Sequence, residues 1–347
     1  VDFFNIRRLI LLFVLGSLFL FIGVNKVKKI AWVGSAVIIL IFIDLFGGKN
    51  IEVNPVIDKE TFHSRTPNIV FLQKDKSLFR VYTSPAMNKL NETLRGNSYE
   101  EAFKASIDSL CPNRLIEYKL NDARVYCSIH NLAYSKVLNI SDTAPFPSST
   151  NILNMLNVKY IITPKQMADK RSKLVNKGIN CFVYENLDCL PRAYLVDNYL
   201  VLEKELDIAG KLKSKEFNPK KVVIVEEEPI KPGFKSCVSI TEDGADKKEH
   251  VEILSYTAQE IIIGVNVLNK PKFLVLADNY YPGWQVYVDS SLQKLYKVNY
   301  ALRGVYLAPG RHLVKFVFNP VSFKLGVLVS LLTLVASVIA IARFSRK

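Results

Sequence analysis

The sequence predicts a membrane-anchored α+β protein: three transmembrane helices, an extracytoplasmic α/β domain, and then a β-sandwich domain. Three observations predict it. Apolar runs at 9–24, 30–47 and 325–342 each approach the length that crosses a bilayer core of about 30 Å as a helix. The stretch 48–228 alternates helical and strand-like segments. The stretch 229–320 consists of short β-rich runs separated by turn residues.

The first run, Leu9–Val24, follows Arg7 and Arg8, so a signal peptide is its rival reading. Asn25-Lys26-Val27-Lys28-Lys29 comes next, where a small-residue cleavage site would stand. The second, Ile30–Gly47, carries one ionisable residue, Asp44, near its outer end. Such a residue is a functional candidate by default, although a site near the interface also lets it reach headgroup water. The third, Leu325–Ala342, has no charge. Short Lys/Arg-rich loops stay cytoplasmic while long domains cross regardless of charge. Lys26, Lys28 and Lys29, with Arg343, Arg346 and Lys347, outnumber Arg7 and Arg8. The expectation is a multi-pass protein of the cytoplasmic membrane, its large domain extracytoplasmic and its C-terminus cytoplasmic. Val1 is not an initiator Met, and the expectation drawn from it is the C-terminal part of a longer protein; proteolytic maturation is the alternative.

In 48–228, Thr66-Pro67 gives an N-cap and first-turn signal for a helix over PNIVFLQKD, and FRVYT reads as a strand. Tyr99, Phe103, Ile107 and Leu110 share one helical face. Ser148-Ser149-Thr150 reads as a cap for NILNMLN, followed by a strand Val158–Thr163 stopped by Pro164. Cys181–Glu185, Arg192–Leu202 and Val222–Val225 read as strands, and Glu203–Phe217 as a helix. The alternation argues for a mixed α/β layer.

In 229–320 the expected strands are CVSIT, HVEILSY, EIIIGVNVL, KFLVLAD, WQVYVD, KLYKVNY, RGVYLA and HLVKFVF. Period-two alternation in WQVYVD and HLVKFVF buries one face of each. Asp243-Gly244, Asn269–Pro271, Pro282-Gly283 and Pro309-Gly310 supply the turns. Asn319-Pro320 leads into the last apolar run, so the sandwich sits close to the membrane.

The formal net charge of +14 does not imply a nucleic-acid partner, because half of it flanks the apolar runs. Runs such as Lys211–Lys215 sit beside Glu226-Glu227-Glu228 and read as solvated faces; a diffuse basic surface favouring anionic lipid or envelope polymer is the other reading. Five cysteines (Cys111, Cys127, Cys181, Cys189, Cys237) show no CxxC, and four histidines are scattered, so no metal constellation is visible. Cys181–Cys189 is the nearest pair for a disulfide; free thiols are the other reading. No P-loop, dinucleotide fingerprint or GxSxG element occurs.

The densest segment is Asp278-Asn279-Tyr280-Tyr281-Pro282-Gly283-Trp284. Pro282-Gly283 fits the centre of a type II turn. Tyr280, Tyr281 and Trp284 around such a turn, with Asp278 nearby, are hardware for gripping a sugar: rings stack on its C–H face and a carboxylate accepts its hydroxyl hydrogens. Packing at a sandwich turn is the competing and preferred reading. Asn299, Arg303 and Gly304 form a second group. Arg303 either binds an anion bidentately or pairs internally with Asp278, the latter being preferred.

Four blocks carry a family resemblance. Asn154–Thr163 (NMLNVKYIIT), Val183–Asn186 with Leu190–Val196 (VYEN…LPRAYLV), Asp278–Trp284 (DNYYPGW) and Asn299–Tyr306 (NYALRGVY) resemble, in order and spacing, elements of the YfhO-like bacterial membrane proteins. The resemblance marks Pro191, Arg192, Pro282, Gly283, Asn299 and Gly304 as structural residues. Asp278, Tyr280, Tyr281, Trp284 and Arg303 are the candidates for sugar contact. It implies a polytopic glycosyltransferase of the GT-C type. Such proteins take a sugar from a polyprenyl-phosphate donor outside the cytoplasm and pass it to an envelope glycopolymer or glycolipid. In that fold the catalytic carboxylate and donor site lie in early membrane helices and the first outer loop. This chain is therefore expected to carry no catalytic residue, metal or cofactor of its own, and to work with further N-terminal helices, the bilayer and the acceptor as partners. The alternative is a non-enzymatic, membrane-tethered carbohydrate- or partner-binding scaffold. A tethered hydrolase has no supporting nucleophile or carboxylate pair.

Overall fold

A computed structural model describes residues 59–94, 99–111, 113–124, 130–143, 148–230 and 248–344. The chain divides into two compact units, Val1–Phe62 and His63–Lys347. In the first, the described part includes one short helix, α1 (Lys59–Phe62). The apolar runs 9–24 and 30–47, Asp44, Cys127, Cys237 and the expected strand CVSIT lie outside the described residues.

The second unit begins with α2 (Pro67–Lys74), β1 (Arg80–Thr83), α3 (Pro85–Leu94), α4 (Tyr99–Asp108), α5 (Arg114–Glu117), β2 (Asn121–Asp122), α6 (Leu132–Thr143) and α7 (Ser148–Met155). Next come β3 (Val158–Thr163), β4 (Ser172–Lys177) and β5 (Phe182–Asn186). These strands form a five-stranded sheet in the order β2-β1-β3-β5-β4. Its β2, β1 and β3 run parallel, and β5 and β4 are antiparallel additions. Pro67 opens α2 as expected, but Thr66 makes no side-chain cap bond. Ser148–Thr150 form the first turn of α7 instead of preceding it. Phe103 and Ile107 are buried, as their spacing predicts, whereas Leu110 is buried beyond the helix end at φ 51°.

Then follow β6 (Ala193–Val196), β7 (Asn198–Val201), α8 (Glu205–Lys213), β8 (Val222–Val225), β9 (His250–Tyr256), β10 (Glu260–Val267) and β11 (Lys272–Asn279). The last strands are β12 (Trp284–Val288), β13 (Ser291–Gln293), β14 (Tyr296–Val298), β15 (Leu302–Leu307) and β16 (Gly310–Phe318). The expected single strand 192–202 is two, because β6 pairs with β11 while β7 pairs with β8. A six-stranded sheet, β6-β11-β15-β14-β8-β7, faces a five-stranded one, β13-β12-β16-β10-β9. The six-stranded sheet draws on both sides of position 228, so a division there cuts through one sheet.

The six-stranded sheet is buried on both faces, and β11 shows how. Phe273 and Val275 join a core with residues of α6, α7 and α8. Leu274 and Leu276 join a second core with Ile261, Ile263, Val286, Val314 and Phe316 of the facing sheet. That is why KFLVLAD reads as a continuous apolar run while β10 alternates. The facing sheets give the sandwich-like architecture expected for 229–320.

The chain ends in α9 (Val321–Phe344), 24 residues long. It is long and apolar enough to cross a membrane, and every residue of it with a described side chain is exposed. Of the three expected membrane helices, this one falls among the described residues. Cys181 and Cys189 are free thiols, so the Cys181–Cys189 disulfide is not formed. Cys181 instead receives a hydrogen bond from Asn68 Nδ2 at 3.2 Å, and burial pushes its thiol up to about 12.

Candidate functional site

Asp278 is the point where all three sheets meet. It lies where the register of β11 against β15 slips: Leu276 pairs with Arg303, but Asn279 pairs with Leu302. The slip leaves extra residues on β11, and such a bulge re-aims a side chain. Arg80, from β1 of the first sheet, places Nη2 2.8 Å from Asp278 Oδ1. Arg192, just before β6, lies 3.3 Å from the same oxygen. Arg303, on β15, lies 3.2 Å from Oδ2. Tyr256, the last residue of β9 in the facing sheet, places its hydroxyl 2.9 Å from Oδ2 and 3.0 Å from Oδ1. Arg80 also donates to the carbonyls of Leu156 at 2.8 Å and Ala277 at 2.5 Å.

Three guanidinium groups thus surround one carboxylate that is only 6% exposed. Burial alone would raise the Asp278 pKa; the charges of Arg80, Arg303 and Arg192 and the Tyr256 bond outweigh it and hold the carboxyl below its usual range. The internal Arg303–Asp278 pair preferred from the sequence is present. Both oxygens of Asp278 are engaged, so this carboxylate does not offer itself to a sugar hydroxyl. Trp284 lies against the other side of the cage, its ring 3.8 Å from the Arg303 guanidinium, a cation–π stack. Among the described residues, two buried nitrogens each of Arg192 and Arg303 have no hydrogen-bond partner.

The other candidates are dispersed. Tyr280 uses its backbone, donating to the Ala301 carbonyl at 2.7 Å and accepting from Asn131 Nδ2 at 2.9 Å. The turn is as expected: Trp284 N–H donates to the Tyr281 carbonyl at 3.3 Å, with Gly283 at φ 104°, a conformation that type II turns reserve for glycine. Tyr281 is 56% exposed and Pro191 is exposed. Asn299, in the left-handed region at φ 47°, clasps Ile224 of β8 by accepting its N–H at 2.8 Å and donating its own to the Ile224 carbonyl at 2.8 Å. Gly304 lies in β15 against Val298.

Beside the cage opens a cavity of about 470 Å³, lined by Arg80, Asn121, Asp122, Asn131, Tyr134, Ser135, Arg192, Tyr256 and Asn279 among others. Sequence reasoning missed it, because its walls come from β1, β2, α6, β9 and β11. It also missed Arg80 and Tyr256. The one available signal was Arg80 itself, a lone charge in the strand FRVYT whose four residues 80–83 are all buried. Asn131 both caps α6, accepting from Tyr134 N–H at 3.1 Å, and reaches Tyr280, so it joins the cavity wall to the Pro-Gly turn.

Asp122 accepts N–H bonds from Arg124 at 2.8 Å and Asn113 at 3.4 Å, yet burial pushes its carboxyl up to about 6. A carboxyl raised in the folded state binds protons there that the unfolded chain has released. Stability therefore falls as pH rises from about 4 through about 6. Asp122→Asn is expected to gain up to about 3 kcal/mol over the parent at about pH 8, the two-unit shift converted to free energy, and nothing near pH 4, as read by denaturation at both values.

Among the described residues no cluster of His, Cys, Asp and Glu is arranged to hold a metal ion. Residues 243–330 match the model of the family described as bacterial membrane protein YfhO. The match spans β9–β16 and the head of α9, and so includes the DNYYPGW and NYALRGVY blocks; the blocks at 154–163 and 183–196 lie outside it. No curated protein and no solved structure matches the chain.

Proposed function

We propose that this YfhO-like chain works as the C-terminal part of an integral membrane glycosyltransferase of the GT-C type. The enzyme uses a polyprenyl-phosphate sugar donor, and the large domain, outside the cytoplasm, holds the acceptor glycopolymer or glycolipid and not the reacting carboxylate. The family match and the exposed apolar helix α9 support membrane association. The basic segments Lys26–Lys29 and Arg343–Lys347 support the multi-pass topology with a cytoplasmic C-terminus.

The observation that carries acceptor binding is the composition of the cavity wall. Two phenol rings (Tyr134, Tyr256), the carboxamides of Asn121 and Asn279, and the Arg80 guanidinium converge on one space of about 470 Å³. Rings and fixed donors together suit a sugar, whose C–H face is apolar and whose rim is hydroxylated. The grip is thereby moved from the Tyr281–Trp284 turn to the cavity, with Asp278 holding the wall together.

The test is a titration of the nanodisc-embedded protein with methyl glycosides of common hexoses and N-acetylhexosamines. Ser135→Trp fills the cavity from α6 without removing core atoms. It is expected to weaken glycoside binding about tenfold or more, about 1.4 kcal/mol. Unchanged binding in that variant returns the domain to the scaffold reading, and sugar transfer by this chain alone would overturn the division of labour.

A further inference from the structure

We propose that the Tyr281–Trp284 turn, together with Phe318, is a seat for the headgroup interface of the bilayer and fixes the β-sandwich to the head of α9. This goes beyond the acceptor-binding reading and does not depend on it; it requires only that α9 spans a membrane.

The first observation is a mechanical joint. Asn319 N–H donates to the Gly283 carbonyl at 2.7 Å. A Cβ added at Gly283 would lie 2.9 Å from Pro320 Cβ and 3.1 Å from its Cα. Turn and helix start are therefore one corner, packed so closely that only glycine fits. The second observation is the ring cluster at that corner. Trp284 and Phe318 centroids are 5.3 Å apart, and Tyr281 and Phe318 6.5 Å apart. Tyr281 remains 56% exposed, as does Phe323 at 70% on the first turn of α9.

The third observation places this corner relative to a bilayer. The uncharged stretch 325–342 is bounded by Lys324 and Arg343. Eighteen helical residues rise about 27 Å, close to the acyl core of about 30 Å. The core boundary then falls at Lys324, whose ammonium snorkels toward the headgroups. Val321–Lys324 is about one turn, about 5 Å of rise, so Pro320 and the turn packed on it lie in the headgroup layer. That layer is where Trp and Tyr are enriched, because each has an apolar ring and a polar edge. Exposed aromatics that look like sugar hardware in one dimension are, at this depth, lipid hardware.

The chain has two tryptophans, so Trp32→Phe leaves Trp284 as the sole emitter. The reporter variant is Tyr281→Trp on the Trp32→Phe, Trp284→Phe background, reconstituted in nanodiscs. Phosphatidylcholine brominated just below the headgroups is expected to quench its emission about twofold or more. Lipid brominated near the chain ends should quench less, and aqueous iodide little. Full iodide quenching with no effect of either brominated lipid overturns the proposal, as does stronger quenching by the deep bromine. The Trp32→Phe chain keeps every residue of the corner and serves as a second reporter. Its Trp284 is expected to show the same preference for the shallow bromine, and absence of that preference overturns the seat equally.

Discussion

Asp278→Asn is expected to cost about 3–5 kcal/mol of stability at neutral pH, the largest effect of any single substitution proposed for this chain. The substitution is nearly isosteric, so packing around it is preserved. What it removes is, among the described residues, the one negative charge in contact with three buried guanidinium groups, Arg80, Arg192 and Arg303. Each arginine is 9% exposed or less, so water cannot replace the lost partner. The sign of the pH dependence follows from the depressed carboxyl pKa. Its contribution is present above the unfolded-state pKa near 4 and is lost as pH falls through the lower folded-state value. Denaturation of parent and variant should therefore show a gap that is widest near neutrality and narrows in acid. Adding Arg303→Met should recover part of the loss, because one of the orphaned charges goes with it. A gap independent of pH would mean that the cage acts through shape and not through charge.

The same cage shows where the sequence was legible and where it stopped. β12 and β16 could be read from their alternation, and β11 from its unbroken apolar run, because a strand's period reports which of its faces are covered. α2, α7 and β3 could be read from Pro67, the Ser-Ser-Thr start and Pro164. The Pro282-Gly283 turn was legible because its left-handed position admits little but glycine. The Arg303–Asp278 pair was inferred from an acid and a base in neighbouring conspicuous blocks. Arg80 and Tyr256 were not, since they lie 198 and 22 residues from Asp278 in the chain and no local pattern announces a partner at that distance. α6 and β4 escaped for a different reason. LAYSKVLNISDT mixes serine, asparagine and threonine into its helical face, and SKLVNK buries no residue fully, so neither carries a clean period. The split of 192–202 was invisible because both halves are equally β-rich; only the partners differ. Asp278 stayed a candidate for sugar contact beside the preferred internal pair because a carboxylate beside aromatics has the same composition whether its oxygens face a ligand or three arginines. Burial and geometry separate those cases, and composition does not.

Gly304→Ala is expected to destabilise the chain by about 1–3 kcal/mol, the range for forcing an extra methyl into a packed interior. Gly304 is not required for its backbone conformation: the glycines with positive φ among the described residues are Gly283 and Gly310. It is required for space. A Cβ at this position would sit 2.6 Å from Val298 Cγ1, 3.2 Å from Val298 Cγ2 and 3.5 Å from Phe273 Cδ1. Gly304 pairs with Tyr296 on β14, and Val298 lies two residues further along that strand, paired with Leu302. The valine thus leans diagonally across the ladder into the place where a side chain would be. Relief of the clash would push β14 away from β15. The residue after β14 is Asn299, whose two hydrogen bonds to Ile224 attach β8 to the sheet. The damage would therefore extend to the edge of the sheet that carries β8 and β7, not to the cage. Combining Gly304→Ala with Val298→Ala removes the two methyls that the new Cβ meets, so the double variant should lose less stability than the sum of the two singles. The expected coupling, read from denaturation of all four chains, is about 1–2 kcal/mol. Strict additivity would show that Val298 is not what keeps this position small, and would turn attention to Phe273, the other side chain within reach of that Cβ.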